Sequence, residues 1–332
     1  MPCSLLFPSE NLNPGTVAPA FPTVERLDAS VSQRDTDQAV RGKLRLLLKQ
    51  NAPISGQTER KLRQCILAAL DTPGSLFRCI LMYRSMRAQG LSEMHAESNA
   101  CALEYFHGAS LLLDDLPLMD DSAERRGRIC PHLLYGDGIA ILAALALITK
   151  AYGLLGECIS SSGHDQQAAA HRLIERCLGG SGVINGQARD LSFSSGTHGI
   201  REVKQIALLK TAPLIELAIL LPAVIAGGPA TARRKLRRLA ICWGLFYQAI
   251  DDIADLTAST ASLGKTTRRD AALGRPNVAL HHSPVDLERY LERLAKVSQG
   301  CIDALVSGTE TWRFLQSFQD ALLGRRVVSS KV

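Results

Sequence analysis

GIAILAALALIT, residues 138–149, is the stretch that decides the fold class of this chain. Its apolar side chains cover most of the circumference of an α-helix, so it predicts a helix buried inside a bundle. Around it, segments with apolar residues at three- and four-residue spacing follow one another, without a period-2 run of β-branched residues. The prediction is therefore an all-α, single-domain bundle of long helices around a deep central cavity.

The predicted helices end at clusters of glycine, proline and serine. They cover residues 39–48, 59–70, 76–88, 92–113, 132–155, 166–188, 203–225, 232–256 and 284–307. Residues 1–32 are rich in polar residues and proline and lack periodicity, which predicts a flexible N-terminal extension. We expect residues 33–332 to form the single all-α domain.

Composition excludes several classes of protein. Of 332 residues, 46% are hydrophobic and 21% are charged, which excludes a disordered or collagen-like chain. The net charge of +6 is mild, and we interpret the basic run at 233–238 as a solvated helix face, not a nucleic-acid surface. The nine cysteines lack CxxC spacing, so we expect free thiols in a reducing cytoplasm. The apolar run at 214–226 is too short to predict a membrane span.

Two clusters of aspartates each follow an apolar run. They are SLLLDDLPLMDDSAERRGR (110–128) with Asp114, Asp115, Asp120 and Asp121, and GLFYQAIDDIAD (244–255) with Asp251, Asp252 and Asp255. Asp251 and Asp255 share a helical face because they are four residues apart. Adjacent carboxylates in apolar surroundings are costly unless they are neutralised. Because Mg²⁺ bridges carboxylates to substrate phosphates, the clusters and nearby arginines and lysines suggest a diphosphate site.

These motifs resemble those of the trans-isoprenyl diphosphate synthases, the polyprenyl synthetase family. DDLPLMDDSAERRG (114–127) and YQAIDDIAD (247–255) resemble its two aspartate-rich motifs. GQARD (186–190), LKT (209–211) and LGKTTRRDAALGR (263–275) follow the family's order. HGASLLLDDLPLMDD and AILAALALITKAYGLL look most like bacterial geranylgeranyl diphosphate synthases of the carotenoid type.

The resemblance implies the isoprenoid synthase fold, a homodimer and a prenyltransferase that uses about three Mg²⁺ ions. Its substrates would be an allylic diphosphate (dimethylallyl, geranyl or farnesyl) and isopentenyl diphosphate, with geranylgeranyl diphosphate as the favoured product. The implied metal ligands are Asp114, Asp115, Asp120, Asp251, Asp252 and Asp255. Arg125, Lys210 and Lys265 would clamp the diphosphate, and Thr211 and Gln248 would line the reacting centre. The released diphosphate is the favoured base, so no side chain is assigned that role.

The implied isopentenyl diphosphate site departs from the family pattern GGKRLRP. Residues 73–79 read PGSLFRC, so Arg78 matches the last arginine but Ser75 stands at the lysine position. His107 and Arg126, the other implied contacts, are present. One missing charged hydrogen bond costs about 1.5–3 kcal/mol. That loss weakens the site without abolishing it, unless Arg84 or another chain compensates.

Product length is expected to depend on side chains that precede Asp114 on its helix, one turn of about 5.4 Å at a time. In the family, a bulky aromatic residue five positions before the first aspartate stops growth at C15. That position is Ala109 here, beside Ser110, so the upper pocket is open. Phe106 and Tyr105 are the predicted floor, or else core or dimer-interface residues. We expect a C20 product, with farnesyl diphosphate second.

Two other functions remain open. A terpene-synthase-like lyase would ionise a prenyl diphosphate without condensation, and the loss of the lysine at Ser75 motivates this alternative. The protein could instead be a non-catalytic subunit of a heteromeric synthase. Such a subunit would have no physical reason to keep six clustered carboxylates.

Overall fold

The computed structural model describes residues 28–71, 73–193, 199–257 and 274–329. The predicted all-α class is confirmed. The helices are α1 (Asp28–Gln50), α2 (Arg60–Asp71), α3 (Phe77–Ala88), α4 (Glu93–Asp114), α5 (Pro131–Tyr135), α6 (Asp137–Ser160), α7 (His164–Leu178), α8 (Val183–Leu191), α9 (Ile200–Ile225), α10 (Ala230–Thr257), α11 (Pro284–Val306) and α12 (Leu315–Ser329). A short antiparallel hairpin follows α4, with strands β1 (Glu124–Arg125) and β2 (Arg128–Ile129).

Some predicted helix boundaries are wrong because glycines end helices within apolar runs. The predicted helix 132–155 is interrupted at Gly136, whose φ of 90° is unsuited to a helix interior. The predicted helix 166–188 divides at residues 179–182, which include three glycines. The sequence pattern did not predict α12. Helix α1 begins at Asp28, inside the predicted extension, and residues 1–27 lie outside the described residues, so the proposed domain boundary stays a prediction.

Helix α9 is the centre of the bundle. Every residue from Thr211 to Ile225 is buried, and the helix packs against α10, α8, α3 and α7. Two glycines let neighbouring helices approach it closely. A Cβ on Gly244 of α10 would lie 2.5 Å from the Cα of Ala212, and one on Gly186 of α8 would lie 2.6 Å from the carbonyl carbon of Leu209. These contacts bring α8 and α10 together at Lys210 and Thr211.

Helix α6 is only partly buried, so the prediction that residues 138–149 lie inside the bundle is wrong for one face. Ala140, Ala143, Ala144 and Leu147 are buried, on a helix that packs against α4. The opposite face carries Leu142 and Leu145, which are 51% and 53% exposed. A pattern that is apolar all round does not specify which faces the same chain covers.

By length and composition, α6 and α9 could each cross a membrane, with 24 and 26 residues. The apolar run at 214–226, which is too short to span a membrane by itself, forms the C-terminal half of α9. The most apolar part of α9 is 83% buried inside the fold and that of α6 is 39% buried. A core helix of a bundle has the same length and composition as a membrane span.

The cysteines among the described residues are free and buried, as predicted for small core residues. A reducing cytoplasm as their compartment stays a prediction.

Candidate active site

A cavity of about 760 Å³ lies among α3, α4, α8, α9 and α10. Its polar lining comprises Arg78, His107, Ser110, Asp114, Asp120, Ser122, Glu124, Arg125, Gln187, Lys210, Thr211, Gln248, Asp251, Asp252 and Asp255. Its apolar lining includes Phe106, Leu111, Leu113, Met119, Ile148, Leu178, Val183, Ile184 and Leu214. The cavity therefore combines a carboxylate-rich region with walls suited to a hydrocarbon chain.

The first aspartate motif folds back on the end of α4. The backbone N–H of Asp120 donates to the carbonyl of Asp114 at 2.9 Å, and that of Ser122 donates to the carbonyl of Asp115 at 3.1 Å. This turn places Asp120 beside Asp114 at the cavity. Burial raises the pKa of Asp114 to about 6; Asp120 and Asp115 add to the shift, while Lys210 and Arg125 oppose it.

Asp115 has a different environment from the one the resemblance implied. It is buried, does not line the cavity, and accepts from Arg125 Nε at 2.8 and 2.9 Å and from Nη2 at 2.6 Å. Such a bidentate pair fixes the guanidinium in position. The structure thus places Asp115 as the counter-ion that holds Arg125 at the cavity, and not among the cavity-facing carboxylates.

The hairpin that carries Arg125 ends in a tight turn. Arg126 and Gly127 have φ values of 55° and 72°, as in a type I′ turn, which matches the twist of the flanking strands. A positive φ is strained for arginine and marks a position that the surrounding structure enforces. Because of this turn, the Arg125 side chain lies at the cavity with the aspartates, whereas the Arg126 side chain lies beside Gly74 in a separate cavity.

The second motif is held by a chain of hydrogen bonds. Thr211 Oγ1 donates to Gln248 Oε1 at 2.6 Å, and Gln248 Nε2 donates to Asp252 Oδ1 at 2.7 Å. Asp252 Oδ2 accepts from the backbone N–H of Val278 at 2.6 Å. Both oxygens of this buried carboxylate therefore have protein donors, and they fix the orientation of the Gln248 amide.

Five aspartates line the cavity and are candidates for metal binding: Asp114, Asp120, Asp251, Asp252 and Asp255. Within the described ranges, no three acidic, histidine or cysteine side chains are grouped closely enough to enclose an ion by themselves. Mg²⁺ does not require such a cage, because it keeps several waters and binds one or two carboxylates together with substrate phosphates. The buried Oδ2 of Asp255 has no hydrogen-bond partner, as expected of an oxygen that binds a cation. The residues present therefore fit Mg²⁺.

Lys210 and Arg275 connect the aspartate loop to α8. Lys210 Nζ donates to Asp190 Oδ2 at 3.0 Å; burial opposes its charge, but Asp190, Asp114 and Asp120 outweigh burial and raise its pKa. Arg275 donates to the carbonyls of Met119 at 2.9 Å and Asp190 at 3.1 Å. Sequence reasoning missed Arg275, although it closes the LGKTTRRDAALGR motif. Lys265, the third predicted clamp residue, lies outside the described residues.

Arg78 and Arg126 act on His107 and also on a buried carboxylate that sequence reasoning missed. Glu104 is buried on α4; burial raises its pKa to about 7, and Arg78 and Arg126 oppose that shift. Burial, followed by the charges of Arg78, Arg126 and Arg125, lowers the pKa of His107 well below 6.5. His107 therefore acts as a neutral hydrogen-bonding group. The available signal for Glu104 was a single acidic residue within an apolar helix.

Glu104→Gln is expected to change how stability depends on pH. The folded pKa of about 7 exceeds the usual 4.5, so the folded state binds more protons between these values, and the wild type gains stability on acidification. Relative to the variant, the free energy of unfolding of the wild type is expected to rise by about 3 kcal/mol between the two pKa values. Denaturant unfolding of both proteins at pH 4.5 and pH 7.5 measures it. If the difference in the free energy of unfolding between the two proteins does not vary with pH, the raised pKa of Glu104 is contradicted.

The predicted chain-length residues divide into two groups. Phe106 and Ser110 line the cavity. Tyr105 is fully buried and its hydroxyl donates to the carbonyl of Leu48 at 2.9 Å, so it faces α1 and not the cavity; Ala109 is also fully buried and outside the lining. The structure adds Tyr152 of α6, whose ring meets Phe106 edge-on at 6.5 Å. Phe106 and Tyr152 are therefore the phenylalanine and tyrosine side chains that line the cavity.

Comparisons with known proteins agree with this geometry. The polyprenyl synthetase family model matches residues 59–299. Geranylgeranyl pyrophosphate synthase 10, mitochondrial, of Arabidopsis thaliana is 34% identical over 72% of this chain and 70% of its own length. The heterodimeric geranylgeranyl pyrophosphate synthase large subunit 2 of the same plant is 38% identical over 65% of this chain and 57% of its own length.

Solved structures share the fold. A geranyltransferase from Helicobacter pylori superposes with a TM-score of 0.74 at 22% identity, over 91% of this chain and 98% of that one. A geranyltransferase from Legionella pneumophila gives 0.76 at 22% identity, over 90% and 99%. At this identity the likeness concerns the fold alone, whereas the family match spans most of the chain and both aspartate motifs. The chain belongs to the polyprenyl synthetase family.

Proposed function

We propose that this protein is a Mg²⁺-dependent short-chain trans-prenyltransferase that condenses an allylic diphosphate with isopentenyl diphosphate, with geranylgeranyl diphosphate as the favoured product. The observation that carries the proposal is the cavity that joins five aspartates and Lys210 to apolar walls. Relatives named geranylgeranyl pyrophosphate synthases support it. A Helicobacter pylori geranyltransferase complexed with magnesium and isoprenyl diphosphate supports the choice of metal, and we propose about three ions.

Cleavage of the allylic carbon–oxygen bond leaves a carbocation and a diphosphate. When bound, Mg²⁺ supplies positive charge that neutralises the leaving diphosphate. Lys210 and Arg125 stabilise the same charge, and each is pre-oriented by a buried carboxylate, Asp190 and Asp115 respectively. The Thr211 and Gln248 oxygens face the reacting centre, where they stabilise the cation while the apolar walls exclude water.

Condensation then forms a carbon–carbon bond. The double bond of isopentenyl diphosphate attacks the cation, and a proton leaves the new adduct for the released diphosphate. No side chain is needed as the base. Arg78, His107 and Arg126 would hold the second diphosphate: Arg78 and His107 line the cavity, and the charges of Arg78 and Arg126 both act on His107.

Product length is proposed from the depth of the cavity. Phe106 precedes Asp114 by eight residues, which is roughly 12 Å along the helix. Ser110 lies between them on the lining and leaves the upper pocket open. The Phe106–Tyr152 pair then limits growth, which favours C20 over C15.

The deciding experiment incubates purified protein with Mg²⁺ and farnesyl diphosphate, with and without labelled isopentenyl diphosphate. We expect label in a C20 diphosphate. Label confined to a C15 diphosphate, in a parallel reaction started from geranyl diphosphate, would make the protein a farnesyl diphosphate synthase. Unlabelled hydrocarbon or alcohol that forms equally in both tubes would overturn the proposal in favour of the lyase.

A homodimer is also proposed, on the basis of the uncovered face of α6. On α5, which packs against α6, Leu133 and Leu134 are also 58% and 54% exposed. Exposed apolar side chains on neighbouring helices favour a protein interface. Light scattering is expected to give twice the chain mass of 35.9 kDa, and Leu142→Glu is expected to give the monomer. A monomeric wild type at micromolar concentration would contradict the proposal.

A further inference from the structure

A second cavity, of about 450 Å³, lies beside the segment where the expected lysine is missing. It is lined by Arg45, Lys49, Leu70, Asp71, Pro73, Gly74 and Arg126. Arg45 and Lys49 come from α1, one helical turn apart, so they project from the same face. The lining therefore carries three basic side chains against one carboxylate, and this surplus favours an anionic ligand.

Two guanidinium groups meet at Gly74, the residue before Ser75. Arg45 Nη2 donates to the carbonyl of Gly74 at 3.2 Å. The Arg126 guanidinium carbon lies 2.8 Å from the position that a Cβ on Gly74 would occupy, and Gly74 has a φ of +67° that favours glycine. A side chain at this position would therefore displace Arg126. The glycine allows both arginines to approach the segment that the family pattern uses for its lysine.

The other cations near this segment have carboxylate partners. Lys49 Nζ lies 2.5 Å from Asp71 Oδ1, and Arg128 pairs with the other oxygen of Asp71. Arg84, the compensating residue considered from the sequence, donates to Asp37 Oδ1 from Nε at 2.9 Å and from Nη2 at 2.5 Å. The bond that the structure shows for Arg45 is to a neutral carbonyl. Because a guanidinium has five N–H donors, most of them remain for a phosphate.

We propose that Arg45 supplies the cation that is missing at Ser75, so that the diphosphate of isopentenyl diphosphate is held from α1 by Arg45 together with Arg126. The inference rests on the proposed function and extends it to a residue outside the family's motifs. Arg126 connects this cavity to the rest of the proposed site, because the charges of Arg126 and Arg78 act on both the buried Glu104 and His107. Arg45 would thus replace, from a different helix, the charge that Ser75 lacks.

The test compares the kinetics of Arg45→Gln with those of Lys43→Gln. Lys43 lies two residues away on α1 and pairs with Glu93 at 3.0 Å and with Glu97, so its substitution removes the same charge outside the cavity. Arg45→Gln is expected to raise the KM for isopentenyl diphosphate about tenfold, with the KM for farnesyl diphosphate and kcat within about twofold. Lys43→Gln is expected to leave all three unchanged. Equal KM values for isopentenyl diphosphate in the two variants would overturn the proposal.

A rescue variant separates binding from folding. Adding Ser75→Lys to Arg45→Gln restores a cation at the family position, so it is expected to return the KM for isopentenyl diphosphate to within about threefold of the wild type. An Arg45→Gln defect that Ser75→Lys leaves unchanged would also overturn the proposal. A wild type that incorporates no isopentenyl diphosphate would instead reject the proposed function itself, and calorimetric titration of isopentenyl diphosphate would then decide whether Arg45 still binds it.

Discussion

Asp114→Asn is expected to lower kcat for condensation by about a thousandfold or more. The change keeps the shape of the side chain and removes its charge at the point where α4 ends in the cavity. Burial raises the pKa of Asp114 to about 6, so in the absence of a cation its charged form is less favoured than that of an exposed aspartate. A neutral amide cannot replace a carboxylate as a ligand of a hard divalent cation. Steady-state assays across a range of Mg²⁺ concentrations measure the loss.

The matched control is Asp121→Asn. Asp121 lies in the same loop, is exposed, and is not part of the cavity lining. Its φ of 47° is a conformation that asparagine tolerates, so the control should fold as the wild type does. We expect Asp121→Asn to keep kcat within about threefold. An Asp114→Asn variant as active as this control would exclude both the synthase and the lyase.

Lys210→Gln is expected to lower kcat/KM for the allylic diphosphate by about a hundredfold to a thousandfold. The ammonium lies in the cavity lining, held by Asp190 at 3.0 Å, and its charge favours ionisation of Asp114. Loss of the Lys210 ammonium weakens binding of the leaving diphosphate and raises the pKa of Asp114 further. The acidic limb of the pH–rate profile should therefore move to higher pH.

Lys204→Gln on the same helix provides the control for this charge change. Its ammonium lies 4.2 Å from the centre of the Tyr290 ring and not in the cavity lining. Thermal unfolding of both variants is needed because Lys210→Gln removes a partner of the buried Asp190, which keeps Arg275 at 3.8 Å. Folded Lys210→Gln protein whose kcat/KM lies within tenfold of the control would exclude Lys210 from the clamp.

Much of the site was predictable because the residues proposed to carry the chemistry lie in short sequence motifs. Paired carboxylates after an apolar helix are costly without a cation, so two such clusters with nearby arginines and lysines suggested a metal–diphosphate site. The helical period also predicted the order and type of most elements. Thr211 and Gln248 were assigned by resemblance, and the structure joins them by a hydrogen bond of 2.6 Å.

Side-chain contacts between residues of different elements were not predictable from the sequence. Asp114 and Asp115 are neighbours in sequence, but one lines the cavity and the other is buried against Arg125. Which of two adjacent side chains faces a cavity depends on how the helix is rotated against its neighbours. Tyr105 was misplaced for the same reason, since its hydroxyl reaches α1.

The sequence by itself determined that the chain forms a helical bundle with two acidic clusters, because helical periodicity and the cost of adjacent charges are local properties. Only the tertiary structure decided that Arg45 meets Gly74 and that the charges of Arg78 and Arg126 act on the buried Glu104. It also left one apolar face of α6 uncovered. These are contacts between residues far apart in the chain, and they depend on the packing of helices around α9 and not on any single segment.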